Sequence, residues 1–556
     1  MTDKEKEKIN NESKKAEDIN SSLSKTAKNV SGTFLLSILS KIVNLGCNII
    51  LVQHISKEAY GIAKIYFEFA FFLIIFFPRE TIRKTAQKFC PDPDAKTEEK
   101  KYYIACQFHA IMSMLVMLFA VFVYLGFIIF GNDSVRKNSI QLLVYILCGV
   151  MELFSEPIIV YMNLHIENKQ IAVTVGNFGR VISNMVFAVL LGLDLWSFTL
   201  SRLCGSSLFV LYLLFIGIYK YKIDYRKMIP NIKELIYAKN YDGIDITELK
   251  QILRSFIEAT GLKMILGNCE KIILSFVIKG TTEEKGEYSF IVENFSFLIR
   301  FLIEPLEETF YNLVNKIKNL EKEKKDKNKE DIAFRMLKLF IKLLLIFGTL
   351  LIGYFFVCGK ELVQLVYTKK WSNSSTEKIG KVYAIYIAII SINGIIESFA
   401  NATNNAKQMS RSNVLMIINS VLLSIFSIIF SQYDICGLII GNALSMIIRI
   451  NGNLYIIFSG KNEALKENIK IDNRNSIKDL IDDFCAFFKQ FYLSLPSCAS
   501  IVICLIGCRF VKAILVNKRN IYFIAASGFI GVVNCGLLYL FEKNSIKAEI
   551  KKIKTE

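Results

Sequence analysis

The sequence predicts an all-α polytopic membrane protein of about fourteen transmembrane helices, built as two pseudo-repeated six-helix bundles plus two C-terminal helices. Three observations predict it. Apolar stretches of about 20 residues, the length a helix needs to cross hydrocarbon, recur along the chain with short polar breaks between them. Lys and Arg are concentrated in alternate loops. Segments from the two halves also align without a gap. Hydrophobic residues make up 53% of the 556 and proline only 7, so no soluble domain of useful size is expected.

Taken in order, residues 1–32 form a polar tail rich in Lys, Glu, Asn and Ser, expected to be disordered and cytosolic, with no cleaved signal peptide ahead of the first span. The first bundle, 33–219, holds candidate spans at 33–54, 60–78, 103–131, 140–165, 171–193 and 196–219. A basic connector, 220–251, follows on the cytosolic side. The second bundle, 252–459, holds spans at 252–278, 287–312, 334–358, 379–400, 413–431 and 433–459. A cytosolic loop at 460–491 precedes two extra spans at 492–516 and 520–541, and 542–556 is a cytosolic tail. The spans at 252–278 and 287–312 are unusual because each carries many charges, which suits a cavity wall and not a lipid-facing helix.

The tails and even-numbered loops hold several times more Lys and Arg than the odd-numbered loops. This asymmetry places both termini in the cytosol, and a missed or invented span would blur it. The formal charge of +18 therefore reports topology; the basic residues form no aromatic-interleaved patch, so no nucleic-acid partner is expected. The 13 cysteines lie mostly in apolar stretches without a Cys-x-x-Cys pair and read as small core residues.

The repeat emerges when the second and eighth spans are superposed. Tyr60 falls on Tyr288, Phe67 on Phe295, Phe69 on Phe297, Glu80 on Glu308 and Thr81 on Thr309, and the preceding spans each end in Ile-Ile-Leu, at 49–51 and 272–274. Proteins built from such repeats place their site where the halves meet.

The chemistry is carried by charges at membrane depth. Arg79 and Arg83 lie one helical turn apart, where two guanidinium forks can grip an anion with Glu80 orienting one of them; the alternative is a positive-inside anchor. The eighth span packs Arg300, Glu304, Glu307 and Glu308 around Pro305, with Arg300 placed to bond Glu304. These groups are expected to face a wet cavity, or else to form an ion-pair network that locks the halves together. Glu152 and Glu156 precede Pro157, and Glu397 follows Asn393-Gly394, each a carboxylate beside a helix breaker. Lys41, Arg180, Arg254, Glu258, Lys263, Glu270 and Lys271 complete the expected buried set. Such cations attract a doubly charged pyrophosphate, while the carboxylates and Asn44, Asn48 or Asn294 can bond hydroxyls. Together these groups describe a phosphorylated glycolipid better than an apolar drug. Enzyme signatures are absent, and His54, His109 and His165 are too dispersed for a metal site, so neither catalysis nor a cofactor is expected.

Several of these motifs resemble those of the Rft family, eukaryotic endoplasmic-reticulum proteins of the multidrug, oligosaccharidyl-lipid and polysaccharide exporter superfamily. Phe-Pro-Arg-Glu-Thr-Ile-Arg-Lys at 77–84 resembles the family's Arg-Glu-x-x-Arg element. Glu152-Leu-Phe-Ser-Glu156-Pro157, Glu304-Pro-Leu-Glu307-Glu308-Thr-Phe-Tyr311 and Asn393-Gly394-Ile-Ile-Glu397-Ser-Phe399 resemble its next three, and Thr368-Lys-Lys-Trp371 its lumenal loop. Two departures stand out: Glu304 replaces the usual Gln, and Gly267-Asn268-Cys269-Glu270 replaces a Thr-Glu-Gly-Glu.

The resemblance implies a role in asparagine-linked glycosylation, helping the dolichol-pyrophosphate oligosaccharide pass from the cytosolic to the lumenal leaflet, among membrane lipids and the enzymes of that pathway. Arg79, Arg83 and Arg300 would then hold the anion, with Glu80, Glu304, Glu307 and Glu308 as orienters and sugar acceptors. The C-terminal Lys552-Ile-Lys554-Thr-Glu resembles a dilysine retrieval signal, and the sequons at Asn132 and Asn373 fall in expected lumenal loops, those at Asn29 and Asn401 outside them. A membrane scaffold that moves no lipid and a cation-coupled exporter of the same superfamily are the rival readings.

Overall fold

A computed structural model describes residues 42–89, 96–164, 170–230, 235, 240–241, 244–278, 280–324, 329–404, 406–432, 434–469, 495–515 and 522–540, save 532, 535 and 539. The described chain is helical apart from one two-residue-stranded hairpin, and it folds as two compact units, Met1–Ile265 and Leu266–Glu556.

The first unit opens with α1 (Ile42–His54) and the long α2 (Lys57–Ala86). The Ser56 hydroxyl caps α2 by accepting from the Ala59 amide at 3.1 Å, and the Ser56 amide donates to Asp194 at 2.8 Å. A π-helical stretch, Ile62–Phe67, lies in the first half of α2. Helix α3 (Lys96–Phe130) leads to α4 (Ser139–Leu153) and α5 (Glu156–Leu164), which meet at a bend of 43°. Pro157 explains the bend. Its ring nitrogen has no hydrogen to give Leu153, so that carbonyl is free to be bonded by His109 Nε2 at 3.0 Å instead.

Helices α6 (Gln170–Met185) and α7 (Leu195–Tyr219) then pack closely. The close approach depends on small residues, since a Cβ at Gly205 would lie 2.7 Å from the Arg180 Cβ and 2.9 Å from the Gly176 carbonyl.

The connector is more than a basic linker. Strands β1 (Asn240–Tyr241) and β2 (Ile244–Asp245) pair antiparallel, and Ile223, Met228, Leu235, Ile244, Ile246 and Leu249 join a buried cluster with Ile158, Phe209 and Leu213. Scattered among lysines, these apolar residues show no period long enough to read as an element, yet each is buried.

Helix α8 (Thr247–Ile272) runs across the unit boundary. In the second unit α9 (Thr282–Leu298) starts with a capping box between Thr281 and Glu284 and passes through a π-helical stretch, Ile299–Ile303, into α10 (Glu304–Lys324). Widening the helix just before Pro305 lets the chain accommodate a residue that has no amide hydrogen. Next come α11 (Lys329–Tyr367), α12 (Ser374–Thr403), α13 (Ala406–Ser431) and α14 (Cys436–Ile469). Their core centres on Phe310, Leu337, Ile395, Phe399 and Leu454. Helix α15 (Leu495–Leu515) rests on α11, where Lys512 pairs with Glu361 at 2.8 Å.

The outer faces are apolar. Phe122 is 70% exposed and Phe130 73% on α3, a surface that only lipid satisfies over such length. Seven described helices are long and apolar enough to span a membrane, or eight if the bent α4–α5 pair is one span. The expected fourteen is not confirmed by this count. Among the rest, α1 is described over a short stretch, α8 and α10 are heavily charged, and α14 is diluted by Arg449, Asn442, Asn451 and Asn453.

Candidate functional site

In the first unit α2 meets the α4–α5 bend through ion pairs. Arg79 Nε donates to Glu156 Oε1 at 2.5 Å and its Nη2 to Glu152 Oε2 at 3.1 Å. Arg83 engages Glu156 with both ends of its fork, at 2.9 and 3.0 Å. Glu156 is only 1% exposed, so its carboxylate is sustained by these bonds; removing a partner of a buried pair typically costs about 3–5 kcal/mol. Glu152 has a further donor in Ser206, at 2.7 Å.

A cavity of about 170 Å³ opens beside this network, lined by Arg79, Glu152, Asn177, Arg180, Arg202 and Ser206 among others. Arg79, Arg180 and Arg202 line it against Glu152, with Glu156 and Glu68 outside the lining as partners of Arg79 and Arg202, so the lining is rich in donors for an anion. Arg202 lies 4.2 Å from the Phe71 ring and 3.7 Å from a Glu68 oxygen, and its Nε is buried with no hydrogen-bond partner among the described residues. Arg79 uses Nε and Nη2 in its bonds and keeps further donors on the same fork.

The second unit carries carboxylates of its own at a helix contact. Glu397 accepts from Arg449 Nη2 at 2.5 Å and from Asn393 Nδ2 at 3.4 Å. The Glu307 carboxylate fills the space that Gly394 leaves open, and a Cβ at that position would overlap Glu307 Oε1. A second cavity, of about 250 Å³, is lined by Glu270, Tyr288, Glu304, Tyr383, Tyr386 and Asn442 together with apolar side chains.

Thus the structure brings together Arg79, Arg83, Glu152 and Glu156 in one unit, and Glu307 and Glu397 around Gly394 in the other. Glu80 pairs with Lys84 at 2.8 Å, while Glu152 and Glu156 accept hydrogen bonds from the two arginines. Glu304 and Glu308 are exposed. Lys41 and the side chains of Arg300 and Lys263 lie outside what is described.

Two expectations need correction. Arg254 and Glu258 are not buried; they pair at 3.2 Å on an exposed face of α8, and Lys271 is exposed as well, positions at which a charge keeps much of its hydration. Asn294 is committed to Tyr367 at 2.9 Å and the Phe290 carbonyl at 2.8 Å, which leaves it little capacity for a ligand hydroxyl. Both expected lumenal sequons use their amides internally. Asn132 donates to Tyr66 at 3.0 Å, while Asn373 donates to Glu287 at 2.6 Å and caps α12 by accepting from Thr376 at 3.0 Å.

Sequence reasoning missed Arg202, Asn177 and Ser206. Arg202 had the same signal as Arg180, a lone cation inside an apolar span, whereas Asn177 and Ser206 become notable only when α6 and α7 are placed side by side.

Membrane-length helices around an arginine-lined cavity define a multi-pass membrane protein, and its fold is that of a transporter. The lipid II flippase MurJ in an inward closed conformation matches over 92% of this chain and 99% of its own, with a TM-score of 0.61 at 15% identity. An inward-facing multidrug resistance MATE family transporter of the MOP superfamily matches over 77% and 96%, with a TM-score of 0.56 at 14% identity.

The chain belongs to the Rft protein family, whose model matches residues 25–552. A Man(5)GlcNAc(2)-PP-dolichol translocation protein from Candida glabrata is 26% identical over 465 residues, covering 77% of this chain and 82% of the relative. Its counterpart from Mus musculus is 22% identical over 461 residues, covering 78% and 82%.

Proposed function

We propose that this chain helps move a dolichol-pyrophosphate-linked oligosaccharide from the cytosolic to the lumenal leaflet of the endoplasmic-reticulum membrane during protein N-glycosylation, with both termini cytosolic. The observation that carries the reading is the first unit's cavity, where Arg79, Arg180 and Arg202 converge beside Ser206 and Asn177. A pyrophosphate head cannot cross hydrocarbon unaided, whereas its polyisoprenoid tail can stay in lipid. Guanidinium forks offer the paired donors that phosphate oxygens accept, in a setting drier than bulk water. The names of the relatives and the shared flippase fold point the same way. The site demands no cofactor and no nucleic acid. Its partners are the lipid-linked sugar, the surrounding membrane lipids and the enzymes of the same pathway.

The test is reconstitution of the full chain in sealed vesicles containing labelled lipid-linked oligosaccharide, with a membrane-impermeant probe outside. Exchange is expected with the wild type and is expected to fall about tenfold in Arg180→Gln, the loss of one charge-assisted contact worth about 1.5–3 kcal/mol. Exchange no faster than in protein-free vesicles overturns the proposal. That result favours the scaffold reading, which the closed Arg79–Arg83–Glu156 network also suits, since a structural lock needs no ligand.

A further inference from the structure

The second unit's cavity has the opposite character to the first. Glu270 and Glu304 line it, and among the described residues no Lys or Arg does. Two carboxylates repel a phosphate placed beside them, which disfavours pyrophosphate here. Glu270 is held in place, accepting from the Tyr288 hydroxyl and from Asn442 Nδ2, the latter at 2.7 Å. Tyr383 and Tyr386 stand with ring centroids 5.6 Å apart and planes 43° from each other, a corner with two flat apolar faces.

An oriented carboxylate beside aromatic rings, with a second carboxylate at the rim, suits an uncharged polyol. The oxygens accept from neighbouring hydroxyls, and the C–H face of a pyranose ring rests on an aromatic ring. Size narrows the occupant further. About 250 Å³ corresponds to roughly eight waters at about 30 Å³ each, and it falls below the roughly 300–1,000 Å³ of drug-sized sites. That space accommodates one sugar ring.

We infer that the cavity bounded by Glu270, Tyr288, Glu304, Tyr383, Tyr386 and Asn442 is a subsite for a single neutral hexose of the head group. The inference rests on the reading of the substrate as a glycosylated pyrophosphate.

The experiment measures binding to the purified full chain in lipid nanodiscs, using a phosphate-free neutral oligomannose glycan, inorganic pyrophosphate and tetramethylammonium as separate probes. The wild type is expected to bind the glycan saturably, and tetramethylammonium is expected not to displace it. Tyr386→Ala should weaken glycan binding about tenfold while leaving pyrophosphate binding unchanged, which also reports that the variant is folded. Tyr386→Phe, which keeps the ring, should stay within about threefold of the wild type. Glu304→Gln alters an exposed side chain and provides a second variant with little folding burden; it should weaken glycan binding several-fold.

No saturable glycan binding by the wild type, equal binding by Tyr386→Ala and Glu304→Gln, or displacement by tetramethylammonium overturns the inference, the last in favour of a cation site. The two proposals fail separately. Glycan binding without vesicle exchange removes the transport reading and leaves the subsite, whereas exchange without glycan binding removes the subsite alone.

Discussion

Gly394 shows how a single residue type can be dictated by its neighbour. In a helix, Gly to Ala normally gains up to about 1 kcal/mol, because alanine loses less conformational freedom. Here the added Cβ would enter the space taken by the Glu307 carboxylate, the far end of a flexible side chain, so the sign is set by what it costs that carboxylate to leave its place against Gly394, at most the penalty of about 1–3 kcal/mol for an overpacked core. Gly394→Ala is therefore expected to lower stability in detergent unfolding, and the same change in a Glu307→Ala background to raise it. The double-mutant cycle should return a coupling within about 0.5–3 kcal/mol. An unchanged sign in the second background would show that Gly394 is required for another reason. The sequence placed both residues beside helix breakers in separate spans without indicating that they touch. The same limit applies at Arg79 and Arg83: spacing alone set them one turn apart, yet only the α4–α5 bend reveals that Glu156 is buried between their forks.

Helix ends and breaks extend the argument from residues to elements. Their positions were legible where proline, a capping residue or a charge run marked them, as at Pro157, Pro305 and the Thr281–Glu284 box. They were not legible in the connector, whose buried apolar residues follow no helical or strand period. Asn373 is the most testable of these ends. It caps α12 and donates to Glu287, so the sequon is already occupied by structural bonds. Asn373→Ala is expected to cost about 0.5–2 kcal/mol through loss of the cap, with a further penalty for leaving Glu287 without this donor. Asn373→Ser, which keeps a capping oxygen, should recover part of the loss. Thermal unfolding of the two variants in the same detergent checks the order, and equal midpoints would remove the cap from the account.

At the scale of the whole molecule, the fold class was readable because the membrane imposes one rule everywhere: a backbone in hydrocarbon must satisfy its own hydrogen bonds, so long apolar runs are helices. The number of crossings was harder, since α8 and α10 carry charges that hide them from any apolarity criterion. Loop charge supplies the missing constraint. Each Lys or Arg beside an anionic cytosolic leaflet gains about 1 kcal/mol, and the basic N-terminal tail, connector and C-terminal tail would all share that side only if the number of crossings is even. Tags placed at the two ends of the chain in sealed endoplasmic-reticulum vesicles should therefore both be removed by added protease before detergent is supplied. Protection of one tag alone would mean an odd number of crossings, with one of the charged helices lying outside the bilayer. Protection of both would keep the even count but reverse the orientation, placing the basic loops against the leaflet that attracts them least.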